Sequence, residues 1–284
     1  MSQPASHHYF VPQPSHWPIF GSAALLLMAN GAVLWMNHIA AGPYLLSAGF
    51  MVLLTMLFGW FANVIRESEG GSYGKNVDVS FRWGMSWFIF SEVMFFAAFF
   101  GALFYIRVLS VPDLAHGLNA EYLYSAFTSV WPSAGPGFKG EFEHMSPWGL
   151  PAVNTALLLS SGVTLTWAHH ALIKNNRLHL NIGLALTILL GVLFLGFQAE
   201  EYSHAYSELN LKLTTGGYGS TFFMLTGFHG FHVCLGATML IVILIRCLKG
   251  HFTPEHHFGF EGVAWYWHFV DVVWLLLFVL VYWL

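Results

Sequence analysis

The chain carries very little charge: Asp, Glu, Lys and Arg make up 8% of its 284 residues. A soluble domain carries about 25%, so this sequence cannot clothe a water-facing surface. Cysteine is nearly absent too. Cys234 and Cys247 fall on the sixth apolar run or its end, too far apart along a helix to bond each other, which excludes an internal disulfide framework. No basic leader precedes the first apolar stretch, and a second stretch follows at once past "AGPY", so a cleaved signal peptide is not expected. No repeat of roughly 20–50 residues recurs, and no inverted duplication of the transporter kind is visible. The short alternating segments of a membrane barrel are missing as well.

What is present is oil, with 56% hydrophobic and 18% aromatic residues. A helix needs roughly 20 apolar residues to cross about 30 Å of hydrocarbon. Seven runs qualify: 17–41, 43–65, 83–106, 151–173, 180–199, 219–245 and 263–284. The expected fold is all-α, a polytopic membrane protein of seven transmembrane helices. Its helices 1–2 (17–65) form one bundle and helices 3–7 (83–284) another. An inner tail (1–16), an inner hinge loop "RESEGGSYGKNVDVSFR" (66–82) and an outer loop (109–150) complete the plan. Basic residues set the orientation: Arg66, Lys75, Arg82, Lys174, Arg177, Arg246 and Lys249 fall on one side, Arg107, Lys139 and Lys212 on the other. The N-terminus is therefore expected inside and the C-terminus outside. Small-residue stripes such as "GFHGFHVCLGAT" predict close helix packing. The clusters "WYWHF" and "YWL" in the last run read as interfacial anchors.

Ionisable groups inside a membrane are expensive, and each invites a functional hypothesis. Here they are Glu92, His169, His170, Glu200, Glu201, His229, His232, His268 and Asp271. From the helical rise, Glu92 lies ~15 Å beyond Arg82, Asp271 a similar depth beyond Glu261, and His232 ~21 Å from Arg246. These three are expected to approach one another near the midplane, with Glu92 protonated or bonded to His232. His268 and Asp271 share a face and read as a structural pair. His229 and His232 also share a face; interhelical hydrogen bonding is the simpler reading, since a metal wants more ligands and an orienting shell. No metal site is expected. At the inner end, Arg246, Lys249, His251, His256 and His257 crowd beside Phe258 and Phe260, a setting suited to an anionic phospholipid.

The stretches "FIFSEVMFF" (88–96), "TWAHHALI" (166–173), "YGSTFFMLTGFHGFHV" (218–233) and "HHFGFEGVAWYWHFVDVVWL" (256–275) closely resemble cytochrome c oxidase subunit III, of the haem–copper terminal oxidases. The resemblance implies two helices leaning away from five around a cleft filled with phospholipid. It implies no haem or copper in this chain and no catalytic residue; those cofactors belong to partner subunits. Subunit I is the main implied contact and subunit II the other, with no nucleic acid partner. Glu92 matches the family's carbodiimide-reactive carboxyl. Lipid contacts carry over to Trp60, Arg66, Glu67, His232, Arg246, His256 and Phe258. Where relatives often have a histidine pair after the second helix, this chain reads "SYGKN", with Tyr73 and Lys75 as substitutes.

The resemblance also suggests that His7, His8, His16, His256 and His257 gather protons, since histidine titrates near neutrality. The expected function is a non-redox subunit of a proton-pumping oxidase that stabilises subunit I, binds phospholipid and supports proton uptake. The alternatives are the same subunit in a quinol-oxidising relative, a haem-bearing cytochrome b, and a secondary transporter. The expected location is a bacterial plasma membrane, or the mitochondrial inner membrane for an organellar chain.

Overall fold

The computed structural model describes residues 11–284, and His7 and His8 lie outside the described residues. Among those described there is no strand, and seven helices are long and apolar enough to cross a membrane. They are α1 (Trp17–Met36), α2 (Gly42–Glu69), α3 (Lys75–Phe104), α6 (Leu150–Ile173), α7 (Arg177–Ser207), α8 (Gly216–Leu248) and α9 (Phe258–Leu277). Two short helices, α4 (Val111–Leu114) and α5 (Gly117–Tyr122), follow α3. Wider π-type turns extend α3 over Tyr105–Ser110 and α9 over Phe278–Trp283. The chain divides into two compact units, Met1–Phe81 and Arg82–Leu284.

The first unit is an antiparallel hairpin of α1 and α2. In lipid, helices associate through close packing because no burial from water drives them together. Small residues supply that closeness: a Cβ on Gly31 would fall 2.4 Å from the Leu46 backbone nitrogen, and one on Gly49 2.8 Å from that of Met28. The expected hinge loop 66–82 is largely helical. Residues 66–69 finish α2, α3 begins at Lys75, and only 70–74 connect them. Gly71 takes the left-handed conformation that turns the chain (φ 70°), so the polar composition reflects a helix emerging from the membrane.

In the second unit, α6, α7, α8 and α9 form a closed ring, each packed on the next and α9 returning to α6. Trp267 of α9 sits at its centre, fully buried. Its indole donates to Ser161 Oγ of α6 at 2.8 Å. A Cβ on Gly191 of α7 or Gly236 of α8 would approach its ring to 2.7 or 2.8 Å. Seven residues on, Trp274 repeats the arrangement. It donates to Thr155 Oγ1 at 2.9 Å and packs on Phe194 and His229, with centroids 4.7 and 5.1 Å away. The reading of "WYWHF" and "YWL" as interfacial anchors is thus overturned for Tyr266, Trp267 and Tyr282, all buried. Trp267 and Tyr282 turn inward and donate across helices to Ser161 and Glu201, while the Tyr266 ring packs between Phe88 and His232.

Helix α3 joins the ring through large aromatic side chains: Phe95 meets Phe228 at 5.0 Å, and Phe96 meets Phe269 at 6.1 Å. The segment expected as an outer loop contains α4 and α5, and its remainder is fastened to the start of α8. Tyr218 N donates to Ser133 O at 3.0 Å and Gly217 N to Ala134 O at 3.3 Å.

The Trp267 packing yields a prediction. Gly236→Val places branched carbon where the indole lies and should destabilise the unit by about 1–3 kcal/mol. A lowered midpoint of thermal unfolding in detergent would register it, and an unchanged midpoint would contradict the packing described.

Candidate functional site

Glu92 of α3 and His232 of α8 meet as the sequence leads one to expect. Glu92 Oε2 lies 2.9 Å from His232 Nε2, and His232 Nδ1 lies 2.6 Å from the carbonyl oxygen of Phe228. A carbonyl only accepts, so His232 Nδ1 carries a hydrogen. The Nε2–Oε2 contact then holds one further proton: on oxygen, the pair is neutral; on nitrogen, it is an imidazolium–carboxylate pair. Either form keeps Oε2 and both imidazole nitrogens engaged. Phe95, Phe96 and Phe231 surround the imidazole at centroid distances of 5.9, 5.0 and 5.8 Å, and Tyr266 stacks on it at 6.3 Å. The Tyr266 hydroxyl is buried with no hydrogen-bond partner among the described residues.

Asp271 does not join this pair, contrary to the depth argument. Depth fixes the level along a helix but not the direction. Tyr266 faces His232, and Asp271, five residues on, points about 140° away around α9. It faces α6 instead, where a Cβ on Gly162 would fall 2.5 Å from Asp271 Oδ2. There it pairs with His268, Nδ1 to Oδ2, at 3.4 Å. His229 and His232 also diverge. His229 packs between Phe194 and Trp274, its two ring nitrogens buried without partners among the described residues, so the two imidazoles do not converge.

At the end of the ring that carries Arg82, Arg177 and Arg246, Glu261 gathers charge. It is ion-paired with Arg82, lies 3.1 Å from His257 Nε2 and 3.8 Å from His169 Nε2. Among the described residues, His169, His257 and Glu261 could together hold a metal ion. Arg82 already supplies the compensating positive charge, so we read the cluster as an ion-pair network. Arg82 also lies over Phe258 at 5.4 Å, and Arg246 over Phe252 at 4.3 Å. The expected lipid residues of this unit thus divide: Arg246, His256 and Phe258 stand at this end, with His256 exposed, while His232 is buried in the pair with Glu92.

In the first unit, Trp60 is half exposed. Arg66 bonds back to the Ala62 carbonyl and to Asn63 Oδ1 at 2.6 Å. Glu67 accepts from the Tyr73 hydroxyl at 2.7 Å. Burial, the hydrogen bond to Glu67 and its charge push the Tyr73 phenol well above its ordinary range, so it stays a neutral donor committed to Glu67. His16, at the start of α1, lies against Trp17 at 4.4 Å.

Sequence reasoning passed over the partner of Glu201. That residue was grouped with Glu200, yet Glu200 is exposed while Glu201 is buried and accepts from the Tyr282 hydroxyl at 2.5 Å. Composition alone puts Tyr282 at the interface. The available signal was that α7 runs on to Ser207, which places Glu201 more than a turn inside the helix.

The comparisons with known proteins agree with this architecture. The family model described as cytochrome c oxidase subunit III matches residues 7–284. Similar proteins include cytochrome c oxidase subunit 3 of Rattus norvegicus and of Mus musculus, each 43% identical, and of Struthio camelus, 41% identical. Each alignment runs over 279 residues, covering 98% of this chain and 97% of the relative. A match of that extent, on seven spans with an intramembrane Glu92–His232 pair, shows that the chain belongs to the cytochrome c oxidase subunit III family.

Proposed function

We propose that the chain is a non-redox accessory subunit of a proton-pumping cytochrome c oxidase, stabilising subunit I, holding phospholipid and supporting proton uptake. The observation that carries this reading is how its membrane-embedded polar side chains are used. Glu92 is engaged by His232, Glu201 by Tyr282, Asp271 by His268, and the two central indoles by Ser161 and Thr155. These side chains tie helix to helix, or turn to turn, and leave electron transfer to partner chains bearing haem and copper. Subunit II would be the second partner.

Phospholipid binding is supported from each unit separately. Trp60 and Arg66 on α2, and Arg246, His256 and Phe258 at the basic end of the ring, offer the mixture of cation and aromatic ring suited to anionic headgroups. The basic end would face the cytoplasm in a bacterial plasma membrane, as the excess of Lys and Arg favours. Glu92 and His232, sharing one proton, would serve as fixed mortar in this account.

Two expectations test the reading. The chain, affinity-tagged and extracted in mild detergent, should bring with it haem- and copper-bearing chains and phospholipid, while the separated polypeptide shows no Soret absorption. A haem spectrum belonging to this chain would overturn the proposal. Proton-gathering histidines would matter most when protons are scarce. Replacing His7, His8, His16, His256 and His257 together should therefore lower oxidase turnover and pumping at alkaline pH, with little effect under acidic conditions. Unchanged alkaline turnover would remove the proton-gathering role.

A further inference from the structure

His229 and His232, whose spacing invites a metal reading, diverge, but three other ligand-type side chains converge. His169 of α6, His257 just before α9 and Glu261 in the first turn of α9 bring one ligand atom each within 4.8 Å of one another. Glu261 divides its oxygens between two tasks. Its Oε2 is ion-paired with Arg82, while Oε1 lies 3.1 Å from His257 Nε2 and 3.8 Å from His169 Nε2. Zinc bonds to imidazole nitrogen and carboxylate oxygen are about 2.0–2.2 Å long, which sets neighbouring ligand atoms of a tetrahedron roughly 3.3–3.6 Å apart. The two separations bracket that range, with Arg82 left in place on Oε2.

The protons of the cluster leave a place for a cation. His257 Nδ1 lies 3.1 Å from the Thr253 carbonyl oxygen, which only accepts, so Nδ1 carries a hydrogen. Its Nε2 and Glu261 Oε1 then hold one proton between them. His169 Nε2 is buried with no hydrogen-bond partner among the described residues. One cation bound to both Nε2 atoms and Oε1 replaces the shared proton and engages the remaining nitrogen as well. The carbonyl on His257 Nδ1 is also the orienting partner that a metal-bound imidazole needs, since it fixes the tautomer that ligates through Nε2. Backbone contacts hold His257 in register: its carbonyl accepts from Phe260 N at 2.9 Å and from Glu261 N at 3.1 Å. The Phe260 ring packs on His169, with centroids 5.3 Å apart.

We propose that His169, His257 and Glu261 form a site for one zinc-class divalent transition-metal ion, which clasps α6 to the start of α9. The site goes beyond the accessory-subunit reading and does not depend on it. Two imidazoles select a borderline ion over magnesium or calcium, which take oxygen ligands. Three protein ligands leave the fourth position to water. The side chains of His169, His257 and Glu261 are 27%, 11% and 15% accessible, and His257 precedes the span, so the ion enters from the basic end. It then lies between the three atoms and is enclosed by them, an arrangement that the burial of His169 Nε2 suits. Arg82 beside Oε2 repels a second cation, so the bound ion is exchangeable rather than permanent.

The test uses the full-length tagged chain, purified with the chains that accompany it, cleared of loose metal with EDTA and dialysed against radioactive zinc chloride. His257→Ala and His169→Leu each remove one ligand and leave the Arg82–Glu261 ion pair in place. The unaltered chain should bind one zinc that a large excess of magnesium does not displace. Each variant should bind that zinc at least roughly 100-fold more weakly, since loss of an orienting partner alone costs about 10- to 100-fold. Anomalous scattering at the zinc edge, from crystals of the unaltered protein, should place the ion between the three side chains, and it decides the matter if a variant fails to accumulate. Equal zinc uptake by the unaltered chain and both variants, displacement by magnesium, or anomalous peaks only elsewhere would overturn the site. A chain that brings down no haem-bearing subunit yet binds this zinc defeats the accessory reading and leaves the site standing.

Discussion

No water is available in the hydrocarbon interior to solvate a carboxyl or an imidazole, so a carboxyl placed there is held most cheaply by a partner from the protein. The Glu92–His232 contact meets this constraint between α3 and α8 with one hydrogen on Nδ1 bound to the Phe228 carbonyl and one proton shared between Nε2 and Oε2. The consequence is structural. Helix α3 reaches α8 and α9 mainly through phenylalanine rings, contacts that are apolar and weakly directional. The shared proton adds a directional contact at one level, and the Arg82–Glu261 ion pair adds another near the basic end. Together they hold α3 in both depth and rotation.

The four-helix ring is held differently. Trp267 and Trp274 occupy successive levels seven residues apart, and each touches all three neighbouring helices. Glycine supplies space at the first level, and a serine or threonine hydroxyl receives the indole hydrogen at both. Large rings and small residues are thus complementary, and the polar atoms of the rings are used rather than left in oil. Glu201 and Tyr282 close a further level towards the end that carries Leu284. Cohesion by this means requires no cofactor, which is why an accessory role and a buried set of ionisable groups are compatible.

Much of this was legible in the residues, and the failures have specific physical causes. Span number followed from apolar length alone. The meeting of Glu92 with a histidine of α8 followed from depth, because Glu92 is the carboxyl of α3 within its apolar run and α8 carries His229 and His232 among phenylalanines. Asp271 was misplaced because depth carries no information about rotation, and a shift of five residues turns a side chain to another neighbour. Residues 66–82 looked like a loop because charge and glycine signal exposure, whereas α2 and α3 simply continue beyond the hydrocarbon. Tyr266, Trp267 and Tyr282 were taken for interfacial anchors because composition near a span's end cannot separate a lipid-facing ring from one turned inward. The link from Tyr73 to Glu67, six residues apart across a turn, depended on the left-handed Gly71 and was not readable from spacing.

The claim on which the rest turns is that Glu92 and His232 stabilise the fold through each other. A double-mutant cycle on thermal stability, with Glu92→Leu, His232→Leu and both together, isolates that mutual contribution. The account predicts a coupling of about 1–2 kcal/mol, the double variant losing less than the two single losses added. Strictly additive losses would contradict it.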